Sequence, residues 1–228
     1  KQVSFLSNNS SIAMCGTFVS ELSVDGIELG IIKYPQNNDL IKKKIIRQNT
    51  FCHGSVMITK KVITSLKGYR EKFYTSQDYD LWLRLIEKHS VANIELPLYT
   101  RIISPDSISF KNKDSQKKYA DYALECFFAR KRNMSEPDMP ENILKERNST
   151  FTKSKKNDCD YNFYCGRRLY EFGEMVKSRE FFLKSLSLRN INMVKIIFIF
   201  LTIFPKNLRY FLEKLWFMIK ERKKININ

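Results

Sequence analysis

Histidine and cysteine are scarce in this chain, and they are not grouped as metal ligands usually are. The 228 residues include two histidines and five cysteines, and no two cysteines form a Cys-x-x-Cys pair. Structural zinc sites use closely spaced Cys and His ligands, so a zinc site is not expected. An odd number of dispersed cysteines also argues against a disulfide-stabilised secreted domain. We therefore expect reduced thiols and a cytoplasmic location.

Long apolar runs and a signal-peptide pattern are also missing. The most apolar stretch, residues 194–204, is much shorter than the roughly 20 residues that cross a bilayer. It precedes Pro205 and a basic cluster at residues 220–224. Such a tail fits either an amphipathic helix on the inner face of the membrane, with peripheral contact through residues 191–228, or a helix pair packed internally.

The charge balance is strongly positive. Lys and Arg number 40 against 24 Asp and Glu, a formal net charge of +16. This excess favours an anionic partner: nucleic acid, anionic lipid or a phosphorylated substrate. Because no zinc-finger, RNP-like or helix-turn-helix signature is present, nucleic acid is not predicted as a partner. With 43% hydrophobic residues, the chain has enough apolar material for a buried core.

Residues 1–110 have the pattern of a mixed α/β region. Apolar runs typical of strands occur at Ile12–Val19, Val56–Thr59 and Val91–Leu96, and turn signals such as Asp25-Gly26 separate them. Helices are predicted at Lys42–Gln48, a short basic segment, and at Asp78–Lys88, where apolar side chains recur at helical spacing on one face.

The rest of the chain is predicted to be helical. A helix at residues 115–132 leads into a polar segment, 133–157, that has no periodicity and reads as a linker. Residues 161–189 predict a helical hairpin with Gly173 at its turn, which resembles one tetratricopeptide unit. We thus divide the chain into an α/β part (1–112), a helix and linker (113–157) and a helical extension (158–228).

The stretch Gln77–Leu85 places two carboxylates and an arginine at the start of an apolar helix. Thr75 or Ser76 fits the N-cap, and the helix dipole favours negative charge in the first turn. Asp78 and Asp80 could serve only this purpose, with Arg84 paired to Asp80 four residues earlier. Alternatively, these charges contact a ligand.

Four ordered pieces of sequence favour the ligand-binding interpretation. They are a Gly-Tyr turn in Lys67–Phe73, the Gln-Asp-Tyr-x-Leu-Trp-x-Arg string at Gln77–Arg84, Pro97–Arg101, and Ser-Ile-Ser at Ser107–Ser109. Together they resemble the acceptor-side half of family-2 glycosyltransferases, and segments upstream, residues 1–30 and 49–63, are similar as well. The resemblance implies an α/β fold, a partial GT-A (Rossmann-like) domain followed by an α-helical C-terminal extension.

The resemblance also implies an activity: inverting transfer of a sugar, of the hexosyltransferase type, from a nucleotide-sugar to a glycan or lipid-linked acceptor in cell-surface polysaccharide biosynthesis. It implies Asp78 as the general base. The substrate-binding candidates are Gln77, Arg84, His53, Gly54, Trp82 and Arg101. For Arg84 an ion pair with Asp80 is an equal alternative, and Trp82 at this spacing is more often a core residue.

Two parts of the family pattern are not found. Its nucleotide-binding half and Asp-x-Asp metal motif precede the segment that corresponds to Lys1–Leu6, and Asp158-Cys159-Asp160 follows the linker instead. We therefore expect Mg²⁺ or Mn²⁺ for the full-length enzyme but predict no metal ligand in this chain. Relatives often carry a histidine where Ile103 stands. The alternatives to a glycosyltransferase are a non-catalytic basic module that binds membrane or nucleic acid, and a truncated remnant.

Overall fold

The computed structural model describes residues 1–107, 112–144, 155–186, 193–204, 208, 209 and 212. Of residues 155–157 it describes the backbone. The chain forms two compact units, Lys1–Lys153 and Ser154–Asn228.

The first unit is a mixed α/β structure, which confirms that part of the predicted fold class. Its elements in chain order are α1 (Gln2–Asn8), β1 (Ile12–Ser23), β2 (Glu28–Ile32), α2 (Asn38–Ile45), a 3₁₀ turn (His53–Ser55), β3 (Met57–Ile58), α3 (Lys60–Ser65), α4 (Gln77–Lys88), β4 (Ser90–Ile103), α5 (Lys113–Lys131) and α6 (Glu141–Leu144).

Strand β1 is the centre of the four-stranded sheet. Along one edge it pairs in parallel with β4, and along the other it pairs antiparallel with β3 near its start and with β2 near its end. Strands covered on both faces consist of nearly continuous apolar residues, which explains the unbroken run at the start of β1. The parallel register places Glu21 beside Arg101, close to the carboxyl ends of both strands.

Strand β2 was not predicted from the sequence, although the turn before it was. Gly26 has a φ of +75°, and the amide of Ser23 donates to the carbonyl of Ile27 at 2.9 Å, closing the turn between β1 and β2. The strand has five residues, and Gly30 interrupts its apolar pattern. Glycine is depleted in strands, so the local signal is weak and the pairing with β1 decides the conformation.

Helix α4 is buried around its whole circumference along most of its length. A single apolar face was predicted, yet all eight residues from Tyr79 to Ile86 are buried, including the charged Asp80 and Arg84. Helix α5 packs against α4 and contributes Tyr119 and Tyr122 to the same core. The helix predicted at residues 115–132 therefore belongs to the first unit.

The second unit contains α7 (Lys155–Phe172), α8 (Met175–Lys184) and α9 (Met193–Leu201). Helices α7 and α8 lie where the hairpin was predicted, with Gly173 in the left-handed region at φ +97°. They approach closely: a Cβ on Gly166 would lie 2.6 Å from Cδ1 of Phe182, and Ser178 Oγ donates to the Gly166 carbonyl at 2.8 Å. Asp158 and Asp160 lie on α7.

Among the described residues, none of the helices combines the length and apolarity that a membrane crossing requires. Most of the predicted basic tail, including residues 220–224, and the linker residues 145–154 lie outside the described residues.

Candidate active site

A cleft of about 1070 Å³ opens in the first unit. Its wall is formed by the loop after α2, the 3₁₀ turn, the start of α4, the end of β4 and the first half of α5. Five of the seven predicted site residues line the cleft: His53, Gly54, Gln77, Asp78 and Arg101. The first four lie in the 3₁₀ turn or at the start of α4, and Arg101 lies on β4. The fold thus brings together residues that are up to 48 positions apart in sequence.

Asp78 lies in the first turn of α4, where its half-buried carboxylate contributes to the cleft wall. Its Oδ2 accepts a hydrogen bond from Nδ2 of Asn49 at 3.3 Å. Asn49 lies in the loop after α2, so this contact joins two sides of the cleft. The carboxylate is therefore oriented while remaining within reach of a ligand.

Ser76 occupies the predicted N-cap position but does not cap the helix. Its backbone is left-handed, with φ at +57°, and its Oγ donates to the carbonyl of Gln116 in α5 at 2.9 Å. A non-glycine residue in this region costs on the order of 1–3 kcal/mol, and such residues cluster at functional sites. The bond to α5 fixes the start of α4, and with it Asp78, against the opposite wall.

His53 is exposed at the cleft and is held by aromatic neighbours. Its Nε2 is 2.8 Å from the hydroxyl of Tyr69, and its ring lies 6.2 Å from that of Trp82. Nε2 of Gln2 donates to the carbonyl of Ser55 at 2.8 Å and anchors the 3₁₀ turn. Burial raises the pKa of Tyr69, and the charge of Asp78 raises it further. The phenol therefore stays protonated at neutral pH.

Gly54 was singled out because a glycine allows close approach of a ligand or backbone. The structure places a side chain there: a Cβ on Gly54 would lie 2.4 Å from both Cζ and the hydroxyl oxygen of Tyr99. Tyr99 itself lines the cleft. The glycine therefore makes room for an aromatic wall residue contributed by β4.

Arg101 brings positive charge to the cleft from β4. Its Nε lies 3.2 Å from Oε1 of Glu21, a carboxylate with no exposed side-chain surface, while 37% of the Arg101 side chain is exposed. Among the described residues that line the cleft, four side chains are cationic (Arg47, Arg101, Lys113 and Lys117) and two are carboxylates (Asp78 and Asp121). The Glu21 carboxylate that pairs with Arg101 reduces this difference to one positive charge. This excess favours an anionic ligand.

Comparison with known proteins gives a consistent class. No family model matches the chain. It is 35% identical over 88 residues to the O-antigen biosynthesis glycosyltransferase WbnJ of Escherichia coli, covering 39% of this chain and 34% of that protein. It is 31% identical over 137 residues to an uncharacterized glycosyltransferase, MJ1057, of Methanocaldococcus jannaschii, covering 58% of this chain and 46% of that protein. The chain is similar to glycosyltransferases.

A further relative, EpsE of Bacillus subtilis, carries a provisional glycosyltransferase name and is 31% identical over 119 residues, which cover 50% of this chain and 40% of that protein. The chain thus spans between a third and a half of the length of each glycosyltransferase that it matches. The predicted resemblance is confirmed at the level of glycosyltransferases, while family 2 and the GT-A type stay predictions.

Two of the predicted glycosyltransferase site residues lie away from the cleft. Trp82 is 1% exposed and packs against Phe51 in the core. Arg84 makes the predicted ion pair: its Nε is 3.0 Å from Oδ2 of Asp80, and its two terminal nitrogens donate to the carbonyls of Leu66 and Gly68 at 2.5 and 2.7 Å. Burial lowers the pKa of Arg84, and the charge of Asp80 opposes this effect. Arg84 therefore supports the Gly-Tyr turn through the carbonyls of Leu66 and Gly68.

The ion pair of Arg84 is part of a larger network that sequence reasoning missed. Arg70 pairs with Asp80 and, at 2.6 Å, with Glu136, which also accepts from Lys72 and Arg130. Burial would raise the pKa of Glu136, but the hydrogen bonds from Lys72, Arg70 and Arg130 outweigh it and lower the pKa to about 2. The network fastens α4 to the segment after α5.

The described residues do not fit the divalent metal that glycosyltransferase resemblance implies. Within these ranges, Asp, Glu, His and Cys side chains form no group of three or more that could hold an ion. Asp158 and Asp160, the nearest approach to an Asp-x-Asp motif, lie within helix α7 of the second unit. No catalytic step is therefore assigned to a metal held by these residues.

Proposed function

We propose that this chain forms the acceptor side of a family-2 glycosyltransferase of the GT-A type. In this proposal a sugar passes from a nucleotide-sugar to a glycan or lipid-linked acceptor, with inversion at the anomeric carbon. The observation that carries the proposal is the position of Asp78, an oriented carboxylate in a cleft that otherwise carries excess positive charge. A base and an anion-binding wall in one cleft are what such a transfer requires.

Asp78 is the general base of the proposed reaction. Its carboxylate accepts the proton of the attacking acceptor hydroxyl while that oxygen forms a bond to the anomeric carbon. The bond between the anomeric carbon and the nucleoside diphosphate breaks on the opposite side, and the electron pair leaves with the diphosphate. Positioned general bases contribute on the order of 10²–10⁴-fold to such rates.

Arg101 is the first candidate to stabilise the leaving diphosphate. Its side chain lines the cleft and is 37% exposed, and Arg47, Lys113 and Lys117 add to the positive field there. Donors and cations that are fixed before the reaction stabilise the charge that develops in the transition state. Gln77, His53 and Gly54 complete the proposed substrate contacts. Mg²⁺ or Mn²⁺ stays a prediction for the full-length enzyme.

A second part of the proposal is peripheral contact with anionic lipid at the cytoplasmic face of a membrane. Met193, Ile196, Phe200 and Ile203 recur at helical spacing along and just beyond α9, and all four are exposed. An apolar helical face on a chain of net charge +16 suits the headgroup region of an acidic bilayer. This location agrees with a role in polysaccharide assembly on a lipid carrier.

The experiment that tests the transfer proposal compares Asp78→Asn with Asp39→Asn. Both changes remove one carboxylate from the first turn of a helix, but Asp39 is exposed on α2 and does not line the cleft. Sugar transfer from a panel of UDP-, GDP- and dTDP-sugars to a bacterial lipid-carrier extract is measured for each variant of the full-length protein. Asp78→Asn is expected to lose transfer by about 10²-fold or more. Retained turnover in Asp78→Asn would refute the assignment of the base.

A further inference from the structure

Two neutral polar side chains of the cleft wall are buried without hydrogen-bond partners. Thr75 is 5% exposed and Asn112 is 8% exposed, and both residues line the cleft. In the part of the chain that the structure describes, Oγ1 of Thr75 and Oδ1 of Asn112 accept and donate no hydrogen bond. Leaving such a group unsatisfied costs free energy, and a polar ligand that supplies the missing partner removes that cost.

The fold brings these two residues together. Thr75 immediately precedes the left-handed Ser76, whose Oγ donates to the Gln116 carbonyl at 2.9 Å. The amide of Gln116 in turn donates to the carbonyl of Asn112 at 2.8 Å, in the first turn of α5. Thr75 and Asn112 therefore lie next to the contact between the starts of α4 and α5, which we call the α4–α5 joint. Thr75 is three residues before Asp78 along the chain.

The chemistry of this joint suits a neutral, hydroxyl-rich ligand. An amide oxygen accepts hydrogen bonds, and a threonine hydroxyl both donates and accepts them. Gln77 and Gln116 add two further amide side chains to the same wall. Neighbouring hydroxyls of a sugar ring supply matching donors and acceptors, whereas an anion offers acceptors only. Both oxygens are shielded from solvent, so binding requires each side chain to turn toward the cleft.

We propose that Thr75 and Asn112 form a subsite that binds ring hydroxyls of the acceptor sugar beside the one that Asp78 deprotonates. The inference rests on the proposed function, because that function supplies the sugar. To that function it adds the location of the acceptor subsite and two specificity-determining residues. The unsatisfied oxygens are then the part of the wall that the acceptor completes on binding.

The test measures binding without turnover. Methyl glycosides of galactose, glucose, mannose, rhamnose and N-acetylglucosamine are titrated against the full chain by saturation-transfer NMR. The variants are Thr75→Val, Asn112→Leu, Thr75→Ser and the matched control Thr50→Val. Thr50 is fully buried, and its hydroxyl also has no partner within the described ranges, but it does not line the cleft.

Thr75→Val and Asn112→Leu are expected to weaken binding of the best glycoside roughly three- to tenfold each, the range of one neutral hydrogen bond. Thr75→Ser, which keeps the hydroxyl, and Thr50→Val should stay within about twofold of the wild-type affinity on the same grounds. Should Thr75→Val not fold, Asn112→Leu decides. No glycoside binding by the wild-type chain, or equal effects of Asn112→Leu and Thr50→Val, would overturn the subsite. Because turnover is not measured, loss of the subsite and failure of the Asp78 assignment are separate results.

Discussion

The hydroxyl of Tyr69 lies 2.8 Å from Nε2 of His53, and this contact joins the Gly-Tyr turn to the cleft. The two rings meet edge to face, with centroids 5.8 Å apart. Since burial and Asp78 raise the pKa of Tyr69, the phenol keeps its proton and can donate to Nε2. A neutral His53 that accepts this bond carries its own proton on Nδ1. The Gly-Tyr turn thereby orients an imidazole in the cleft that contains Asp78.

Tyr69→Phe is expected to change the proton position on His53. Without the phenol donor, the preference for the Nδ1-protonated tautomer should fall, which ¹⁵N NMR of the imidazoles measures directly. The chain has two histidines, so His89 serves as an internal reference. One neutral hydrogen bond limits the accompanying loss of transfer to about tenfold. Unchanged ¹⁵N shifts of His53 would contradict the proposed orienting role of Tyr69.

Much of the fold follows from local sequence, and the contacts that complete the site do not. The strand at Ile12, helix α4 and the Arg84–Asp80 pair all depend on neighbours within a few residues, so periodicity and i,i+4 spacing reveal them. The contact of Arg70 with Glu136 spans 66 positions and that of His53 with Tyr69 spans 16. No local pattern encodes such pairs, because they arise from the packing of α4, α5 and the turns between strands.

The same distinction between local and long-range contacts explains which site residues could be predicted from the sequence. The first-turn position of Asp78 was read from the Gln77–Arg84 string. The orphaned oxygens of Thr75 and Asn112 carry no signal in sequence, since threonine and asparagine are ordinary residues of loops and helix starts. Only the buried joint between α4 and α5 distinguishes them. Gly54 indicated close approach of a ligand or backbone, whereas the structure places the side chain of Tyr99 against it.

Asp80→Asn is expected to destabilise the first unit strongly. Asp80 has no exposed surface and pairs with both Arg70 and Arg84, so the change leaves two partly buried guanidinium groups without their carboxylate. Breaking a buried ion pair in this way costs on the order of 3–5 kcal/mol. Urea unfolding of Asp80→Asn, with the exposed Asp39→Asn as control, measures the difference. Equal unfolding midpoints would show that the network contributes little.

The alkaline stability of the chain should depend on Tyr79. This residue is 5% exposed, and its hydroxyl donates to the carbonyl of Ile45 at 2.5 Å. Burial, with a smaller contribution from the charge of Asp121, raises the pKa of Tyr79 to about 12. The unfolded phenol ionises near pH 10, so the stabilisation is complete below that pH and is lost as the pH rises toward 12.

Unfolding free energies of the wild type and Tyr79→Phe, measured from pH 8 to pH 12, test this dependence. The variant should be less stable at pH 8 by about 1 kcal/mol, the contribution of one hydrogen bond. Between pH 10 and pH 12 its stability should fall less steeply, because phenylalanine has no proton to lose. Parallel curves for the two proteins would show that Tyr79 does not set the alkaline limit.

Replacement of apolar residues on α9 should weaken binding to anionic vesicles. Ile196 and Phe200 are 44% and 54% exposed and lie one helical turn apart on the same face. Each buried apolar side chain contributes about 1.5–3 kcal/mol, so Ile196→Ser with Phe200→Ser should abolish most binding to phosphatidylglycerol vesicles in a sedimentation assay. Val176→Ser is the matched control, since Val176 is 70% exposed but lies on α8. Added salt should also reduce binding, because the lysines and arginines attract the anionic headgroups. If the double variant and the control sediment with vesicles as the wild type does, the exposed face of α9 is not a membrane contact.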